Sequence, residues 1–282
     1  MSRIAYVNGR YLSHLEAGVH VEDRGYQFAD GVYEVIAVSR RRLFDEEGHI
    51  KRLERSLDEL SIAWPMSPRA LKVTLREVIR RNRLIDGFVY LQITRGVAPR
   101  DHAFPEAAAS AMVITARHVR PPSEAPESGI DVITLPDIRW KRCDIKSVSL
   151  LPNVLGKQEA HQAGAYEAWL VDDRGMVTEG TSSNAWIVSA GGELITRQAS
   201  RAILNGITRL AVLELAGAEG ISFVERAFSV DEAKAAREAF LTSTTALVKP
   251  VVRIDGETIA DGRVGMLTAK VYALFAARMV AN

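Results

Sequence analysis

The feature that most constrains the fold of this chain is a proline-rich stretch near its middle. Residues 120–129 read Arg-Pro-Pro-Ser-Glu-Ala-Pro-Glu-Ser-Gly. Prolines with polar spacers cannot lie inside a regular helix or sheet, because proline lacks the backbone N–H donor and fixes φ. We therefore predict an N-terminal α/β domain over 1–119, an interdomain linker over 120–129 and a C-terminal domain over 130–282. The chain has 282 residues, which is enough for two domains of ordinary size.

Both parts of the chain mix helix and strand patterns. The chain opens with a predicted hairpin over 4–12, turning at Asn8-Gly9. Apolar residues at helical spacing predict a helix over 49–62, and Ser67-Pro68 has the serine cap and first-turn proline that begin another, to about residue 83. The remaining predictions are strands at 30–38, 43–44, 88–94, 112–116, 130–135, 167–171, 176–178, 185–188, 193–196, 240–241 and 251–254, and helices at 154–163, 207–217, 231–237 and 264–280. Helices and strands alternate only loosely, so we predict an α+β fold of two α/β domains rather than a doubly wound sheet.

Composition excludes several classes of protein. Lys and Arg number 36 against 35 Asp and Glu, so the net charge of +1 gives no electrostatic footprint for nucleic acid or an anionic membrane. The single cysteine, Cys143, excludes an intrachain disulfide. No apolar run approaches the about 20 residues that span a bilayer, and the N-terminus lacks the apolar region of a signal peptide. We expect a cytoplasmic protein with no metal site and no nucleic-acid or membrane partner.

The stretch 138–151 places one lysine, Lys146, among apolar residues and shortly after three cations, namely Arg139, Lys141 and Arg142. Burial favours the neutral amine, whereas a free lysine, with a pKa near about 10.4, is almost wholly protonated at neutral pH. Desolvation and neighbouring cations are the two usual ways to obtain a nucleophilic lysine. The stretch by itself favours a strand-edge lysine whose ammonium lies in water.

Three short segments place small polar groups where a ligand could bind. Glu179 precedes the run Gly180–Asn184, which fits either a polar turn or a carboxylate fixed by a tight loop. A predicted helix opens at Asn205–Arg209, and the free N–H groups at such a positive helix end form a natural anion site. Ser243-Thr244-Thr245 follows a predicted strand and offers further donors. Each segment alone is also typical of an ordinary cap or turn.

Two further positions suggest recognition of an anion. Arg52 lies close to the apolar face of the helix predicted over 49–62, where it either extends to water or meets a buried anion. The loop 99–105 is bracketed by prolines. Residues two apart face the same side of extended backbone, so Arg100 and His102 should point together. A guanidinium beside an imidazole is a good receptor for a carboxylate, although a solvated loop with a basic pair gives the same pattern.

Together, these motifs resemble the fold-type IV aminotransferases, which use pyridoxal 5′-phosphate (PLP). The resemblance covers nearly the whole chain. The Arg-x-His pair at positions 100 and 102 is similar to the D-amino-acid (D-alanine) branch of that family. In chain order the matching motifs are 23–34 (DRGYQFADGVYE), 49–53 (HIKRL), 94–96 (TRG) with 99–102 (PRDH), 142–147 (RCDIKS), 178–180 (TEG) with 182–184 (SSN), 206–209 (GITR) and 242–245 (TSTT).

The resemblance implies a role for each group of residues. Lys146 would form the Schiff base with PLP and move the substrate proton, and Glu179 would pair with the pyridine nitrogen. Side chains and amides of Arg52, Ile207, Thr208 and Thr244 would hold the phosphate, and Leu204 would pack on the ring face. Ser182 and Ser183 would line the pocket, and Ser243 would be a further cofactor-binding residue. Tyr33, Arg100 and His102 would hold the substrate α-carboxylate, the last two from the partner subunit of a homodimer with shared active sites.

The implied reaction is a ping-pong transamination between a D-amino acid, of D-alanine or D-glutamate type, and a 2-oxo acid, of pyruvate or 2-oxoglutarate type. Alternatives within the same fold are a branched-chain or (R)-amine aminotransferase and a lyase acting on an aminochorismate, against which the Arg100/His102 pair argues. Alternatives of another class are a PLP-binding protein without turnover and a plain interaction protein. No chemistry-bearing motif is interrupted, which favours the enzyme.

Overall fold

A computed structural model describes residues 3–119 and 126–281 of the chain. The chain divides into a first unit, Met1–Pro121 with Ile145–Ser149, and a second unit, Pro122–Asp144 with Leu150–Asn282. Residues 120–125 of the predicted linker lie outside the described residues. The segment Ile145–Ser149 groups with the first unit although it comes after the proposed boundary.

The described residues of the first unit form a six-stranded sheet, order β2-β1-β6-β5-β3-β4, in which every pair of neighbours is antiparallel. Asn8 and Gly9, with φ of 43° and 91°, adopt the left-handed backbone of a tight hairpin turn, as predicted. The strands are β1 (Ile4–Val7), β2 (Arg10–Ser13), β3 (Gly31–Ser39), β4 (Arg42–Leu43), β5 (Gly87–Thr94) and β6 (Ala111–His118), and the helices are α1 (Arg24–Phe28), α2 (Glu46–Glu59) and α3 (Pro68–Arg81).

Helices α2 and α3 supply the apolar side of the first unit's core. Leu53 and Leu57 of α2 and Leu71 and Leu75 of α3 are fully buried in one cluster with side chains of β3, β5 and β6. This is the stripe that the helical spacing predicted. The helix α2 begins three residues before the predicted start, because Glu46 and Glu47 are acidic residues that favour a first helical turn but carry no apolar signal.

Helix α1 was not predicted. It spans only Arg24–Phe28, little more than one turn, so it has no period that a sequence pattern could show. Its start is fixed locally, because the side chain of Asp23 accepts a hydrogen bond from the backbone N–H of Gly25.

The described residues of the second unit form a nine-stranded mixed sheet with the order β12-β11-β10-β13-β14-β7-β8-β9, and β15 pairs with β14. Three pairs are parallel, β11 with β12, β14 with β7 and β7 with β8. The strands are β7 (Ile130–Pro136), β8 (Glu167–Val171), β9 (Val177–Gly180), β10 (Asn184–Val188), β11 (Leu194–Thr196), β12 (Phe223–Glu225), β13 (Glu238–Ser243), β14 (Leu247–Ile254) and β15 (Glu257–Thr258), and the helices are α4 (Leu151–Gln162), α5 (Ile207–Ala218), α6 (Val230–Lys234) and α7 (Met266–Ala281).

The two sheets and their helices make an α+β protein, as predicted. Across 3–119 and 126–281, every helix is too short or too polar to cross a lipid bilayer.

Candidate active site

The backbone around Lys146 is held on the edge of strand β3. The carbonyl of Lys146 accepts from the N–H of Tyr33 at 3.0 Å, and Val148 donates to the carbonyl of Gly31, also at 3.0 Å. The N–H of Lys146 donates to Ser56 Oγ of α2 at 3.3 Å. Hydrogen bonds to β3 and to α2 therefore fix the backbone from which the Lys146 side chain extends.

The amine of Lys146 lies over an aromatic face. Its Nζ is 4.2 Å from the centroid of the Tyr33 ring, and Tyr33 stacks on Tyr90 at 5.7 Å. Burial raises the pKa of Tyr90 to about 12, so its hydroxyl stays protonated; that hydroxyl donates to Gln92 Oε1 at 2.6 Å. Lys146 itself is half-buried. The stacked rings thus give the lysine a defined direction, and Lys146 and Tyr33, two predicted site residues, are brought into contact.

Arg52, another predicted site residue of the first unit, meets a buried anion rather than water. Its Nε and one terminal nitrogen donate to the two carboxylate oxygens of Glu34, each at 2.8 Å. His49 Nδ1 lies 2.7 Å from the same carboxylate. Sequence reasoning missed Glu34 as the partner, although Arg52 and His49 lie three residues apart on one helix face and both suit a carboxylate.

Burial and the neighbouring basic side chains shift the pKa of Glu34 in opposite directions. Burial acts against ionisation of Glu34, but the Arg52 guanidinium and the His49 ring outweigh it and lower the pKa of Glu34 to about 2. Burial lowers the pKa of His49 despite the carboxylate beside it. A neutral His49 donates its Nδ1 hydrogen, because an ionised carboxylate only accepts.

The Glu34 cluster predicts how stability depends on pH. A carboxylate whose pKa falls from 4.5 to about 2 on folding contributes about 3 kcal/mol, present above pH 4.5 and lost as the pH falls towards 2. We expect Glu34→Gln to lower the urea unfolding midpoint at neutral pH and to flatten its fall from about pH 5 to about pH 3. Glu77→Gln is the control. Arg80 and Arg81 also lower the pKa of Glu77 to about 2, but this carboxylate lies at the surface of α3, where solvent screens the pairing and we expect a much smaller effect on stability. Equal effects of the two substitutions would contradict a buried role for Glu34.

Glu179, at the end of β9, is the central carboxylate of the second unit. It is 5% exposed. Its Oε2 accepts from Asn184 Nδ2 and from the Leu204 N–H, both at 3.0 Å, and its Oε1 accepts from Arg139. Burial raises the pKa of Glu179 to about 7, and Arg139 and the Leu204 N–H partly offset that rise. All three partners donate hydrogen bonds to Glu179, so its carboxylate acts as an acceptor.

The guanidinium of Arg139, which donates to Glu179, is also held by Asp137. Its Nε donates to Asp137 Oδ1 at 2.9 Å and a terminal nitrogen to Asp137 Oδ2 at 2.7 Å. The same terminal nitrogen lies 3.2 Å from the Ala202 carbonyl. Two of the cations that precede Lys146 in sequence are thus paired, since Arg142 also pairs with Asp144 at 3.1 Å.

Asn184 connects Glu179 to the start of helix α5. Its amide also donates to the Leu204 carbonyl at 2.9 Å. A Cβ at Gly206 would lie 2.1 Å from Asn184 Oδ1, so a side chain there would displace the Asn184 amide from its hydrogen bonds. Gly206 is the N-cap of α5 and has no side chain with which to cap it. The first N–H groups of α5, at the buried residues Ile207 and Thr208, therefore form a helix end suited to an anion.

The hydroxyl loop after Glu179 is organised by a buried carboxylate that sequence reasoning missed. Glu167, 1% exposed on β8, accepts from the Thr181 hydroxyl at 2.9 Å, from the Ser182 N–H and hydroxyl at 2.6 and 2.8 Å, and from the Ser183 hydroxyl at 2.9 Å. The hydroxyls predicted to line a pocket thus donate to Glu167. The acid lies 14 residues before Thr181, with no local signal linking the two.

The remaining predicted residues lie on turns and loops. Ser243, at the end of β13, accepts from the Ala246 N–H at 3.0 Å, and Thr244 is half-buried in the turn that follows. Arg100 and His102 are exposed, and both lie against one ring, Phe28. Within the first unit, Arg100 and His102 therefore share one aromatic neighbour. Across 3–119 and 126–281, the structure shows no group of three or more acidic, histidine or cysteine side chains arranged to hold a metal.

Comparison with known proteins gives concordant results. The sequence pattern of the family described as amino-transferase class IV matches residues 31–254. The D-alanine aminotransferase of Bacillus licheniformis is 45% identical over 264 residues, covering 94% of this chain and 93% of that protein. The D-alanine aminotransferase of Staphylococcus haemolyticus is 41% identical over 265 residues, covering 93% of each.

Two solved structures of aminotransferases share the fold of this chain. The branched-chain amino acid aminotransferase of Escherichia coli matches with a TM-score of 0.89 and 26% identity, covering 99% of this chain and 96% of that chain. The T.th. branched-chain amino acid aminotransferase with pyridoxamine 5′-phosphate also matches with a TM-score of 0.89 and 26% identity, covering 100% of this chain and 95% of that chain.

Proposed function

The chain belongs to the class IV aminotransferases, and on that premise we propose that it transfers amino groups between D-amino acids and 2-oxo acids by a ping-pong reaction with PLP. The observation that carries the choice of substrate is that Arg100 and His102 lie on one loop and both contact Phe28, because a guanidinium and an imidazole on one short segment suit an α-carboxylate. The identity of 45% to a D-alanine aminotransferase supports the same choice.

The residues present fit PLP. A phosphate suits the N–H groups at the start of α5, which Gly206 leaves uncapped. A protonated pyridine nitrogen suits the donor-surrounded carboxylate of Glu179. An aldehyde suits the amine of Lys146, whose backbone is anchored to β3 and α2. When bound, PLP supplies the electron sink that stabilises the charge left by loss of the substrate Cα proton.

We assign the roles of the chain's own residues accordingly. Lys146 holds the cofactor covalently and, as a free amine, moves the Cα proton. Glu179 stabilises a proton on the ring nitrogen, Leu204 packs on the ring, and Tyr33 contributes to binding of the carboxylate with Arg100 and His102. The phosphate ligands are Arg52, Ile207, Thr208 and Thr244. Ser243 is a further cofactor-binding residue, and Ser182 and Ser183, fixed by Glu167, complete the cofactor site.

Donor specificity tests the proposal. Purified enzyme is assayed with D-alanine, L-leucine and an (R)-amine, each with 2-oxoglutarate. We expect D-alanine to be the preferred donor and pyruvate to be its product. The structural likeness to branched-chain enzymes makes L-leucine the specific competitor, and turnover of L-leucine alone would overturn the proposal.

Replacement of Arg100 tests the carboxylate receptor. We expect Arg100→Ala to raise KM for D-alanine about 10- to 100-fold, because a charge-assisted hydrogen bond contributes about 1.5–3 kcal/mol, while PLP retention is unchanged. Arg69→Ala, at an exposed arginine of α3, is the control. Loss of PLP from the Arg100 variant with normal affinity for D-alanine would contradict this division of roles.

We also propose a cytoplasmic homodimer in which Arg100 and His102 of one subunit serve the partner's active site. Hybrid dimers of a Lys146→Ala subunit and an Arg100→Ala subunit test this arrangement. If Arg100 acts across the dimer, one site of each hybrid carries both defects and the other carries none, so activity returns on mixing. Hybrids whose kcat/KM for D-alanine is no higher than that of the Arg100→Ala parent would show that Arg100 acts within its own subunit.

A further inference from the structure

Arg24 is a buried arginine of the first unit to which neither the cofactor nor the substrate roles assign a function. It opens helix α1, and its side chain is 4% exposed. Its Nε donates to Asp30 Oδ2 at 2.8 Å. Its two terminal nitrogens point elsewhere, one to the carbonyl of Asp101 at 2.6 Å and the other to the carbonyl of His102 at 3.4 Å. Arg24 therefore ties the backbone of the Arg100/His102 loop to α1.

Phe28, at the other end of α1, lies against the same loop. The guanidinium carbon of Arg24 is 4.9 Å from its ring centroid and that of Arg100 is 5.0 Å away. The ring of His102 lies 5.3 Å from the ring of Phe28 at a tilt of 49°. One aromatic side chain thus contacts the anchoring arginine and both proposed carboxylate ligands.

The loop needs such anchors because it is long and lacks regular structure. It runs over 95–110, between the end of β5 and the start of β6, and most of its residues are exposed. Arg95 fixes its base by pairing with the carboxylate of Asp30 at 2.8 and 3.0 Å. Arg24 shares Asp30 and is the residue that extends this anchorage to positions 101 and 102.

We propose that Arg24 is a positioning residue that sets the geometry of Arg100 and His102 for the α-carboxylate of the substrate, with Phe28 as its aromatic support. This inference rests on the proposed function. Arg24 acts through the loop and not as a ligand, because its side chain is 4% exposed and each of its nitrogens donates to an acceptor of the protein. Oriented recognition is sensitive to such placement, since a displacement of about 1 Å can cost about 100-fold in rate.

The test compares two substrates in wild-type enzyme and in Arg24→Lys. Lysine keeps the charge, but its single nitrogen cannot serve Asp30 and both loop carbonyls in one fixed plane. D-Alanine carries the carboxylate, and D-alaninol has a hydroxymethyl group in its place. We expect the ratio of kcat/KM for D-alanine over D-alaninol to fall about tenfold or more, mainly through KM for D-alanine. General damage would lower both values and leave the ratio unchanged, and that result would overturn the proposal.

A second variant and a second measurement distinguish the proposed role of Arg24 from a folding defect. Phe28→Leu keeps an apolar side chain and leaves Arg24 intact, and we expect the same ratio to fall by a smaller factor. Hydrogen exchange of the cofactor-free protein should become faster over 97–105 in Arg24→Lys and stay unchanged in α3. Exchange that is unchanged over 97–105, or a ratio that neither variant alters, would contradict the role of Arg24.

Failure of the proposed function would show itself separately, in the wild-type enzyme. A wild type that prefers L-alanine would refute the D-amino-acid assignment, and the discrimination ratio would then be measured with L-alanine and L-alaninol. The ratio still reports whether Arg24 positions the carboxylate receptor.

Discussion

Replacement of Lys146 by alanine is expected to lower kcat for D-alanine by at least about 1,000-fold. The amine serves both as the covalent attachment for the cofactor and as the base that moves the Cα proton, and general acid–base catalysis alone contributes about 10²–10⁴. The fold should survive, because the three hydrogen bonds that hold this segment to β3 and α2 use backbone atoms of Lys146 and Val148. Turnover with pyruvate formation from D-alanine is the measurement.

Two controls distinguish loss of a catalytic amine from damage to the fold in Lys146→Ala. Lys141→Ala removes an exposed lysine five residues upstream and should leave kcat unchanged. Methylamine added to Lys146→Ala should restore part of the activity, because a small amine can enter the space left by the side chain and accept the proton. A Lys146→Ala enzyme that retains more than about a tenth of wild-type kcat would be incompatible with the role of this residue.

Glu179→Gln is expected to lower kcat about 100-fold, the second largest effect, because a neutral amide no longer stabilises a proton on the ring nitrogen. The same substitution costs stability. The donors Arg139, Asn184 and Leu204 all point at the two oxygens, and glutamine offers only one, so an unsatisfied group should cost about 1–3 kcal/mol.

Glu238→Gln is the matched control for that loss of stability. Glu238 is also a buried carboxylate of the second unit whose partners are donors, the N–H of Leu267 at 3.1 Å and the N–H and hydroxyl of Thr268 at 2.7 and 2.8 Å. We expect both variants to unfold at lower urea concentration and only Glu179→Gln to lose kcat. A comparable loss of kcat in both would mean that Glu179 is structural rather than catalytic.

Local signals made much of the fold predictable. The Asn8-Gly9 turn and the Ser67 cap with Pro68 each act over a few residues, and each lies where it was expected. The order of strands in the two sheets could not be predicted, because pairing joins residues that are far apart in sequence. The grouping of Ile145–Ser149 with the first unit is of this kind, since it depends on hydrogen bonds to Gly31 and Tyr33.

In the candidate site, too, residues in local motifs were predicted and their distant partners were not. The sequence motifs named Lys146, Glu179 and Arg52, because each lies in a local pattern that resembles a known family. The partners that hold these residues were not predicted: Glu34 accepts from Arg52 across 18 positions, and Arg139 donates to Glu179 across 40. A carboxylate on a strand carries no sequence signal for which distant guanidinium it will meet.

The position of the covalent bond between cofactor and chain tests the role of Lys146 most directly. Holoenzyme is reduced with borohydride, which fixes a reducible carbon–nitrogen linkage, and is then digested and mapped by mass spectrometry. We expect a single phosphopyridoxyl-modified peptide with the modification on Lys146. Modification of any other lysine, or none at all in an enzyme that retains PLP, would contradict that role.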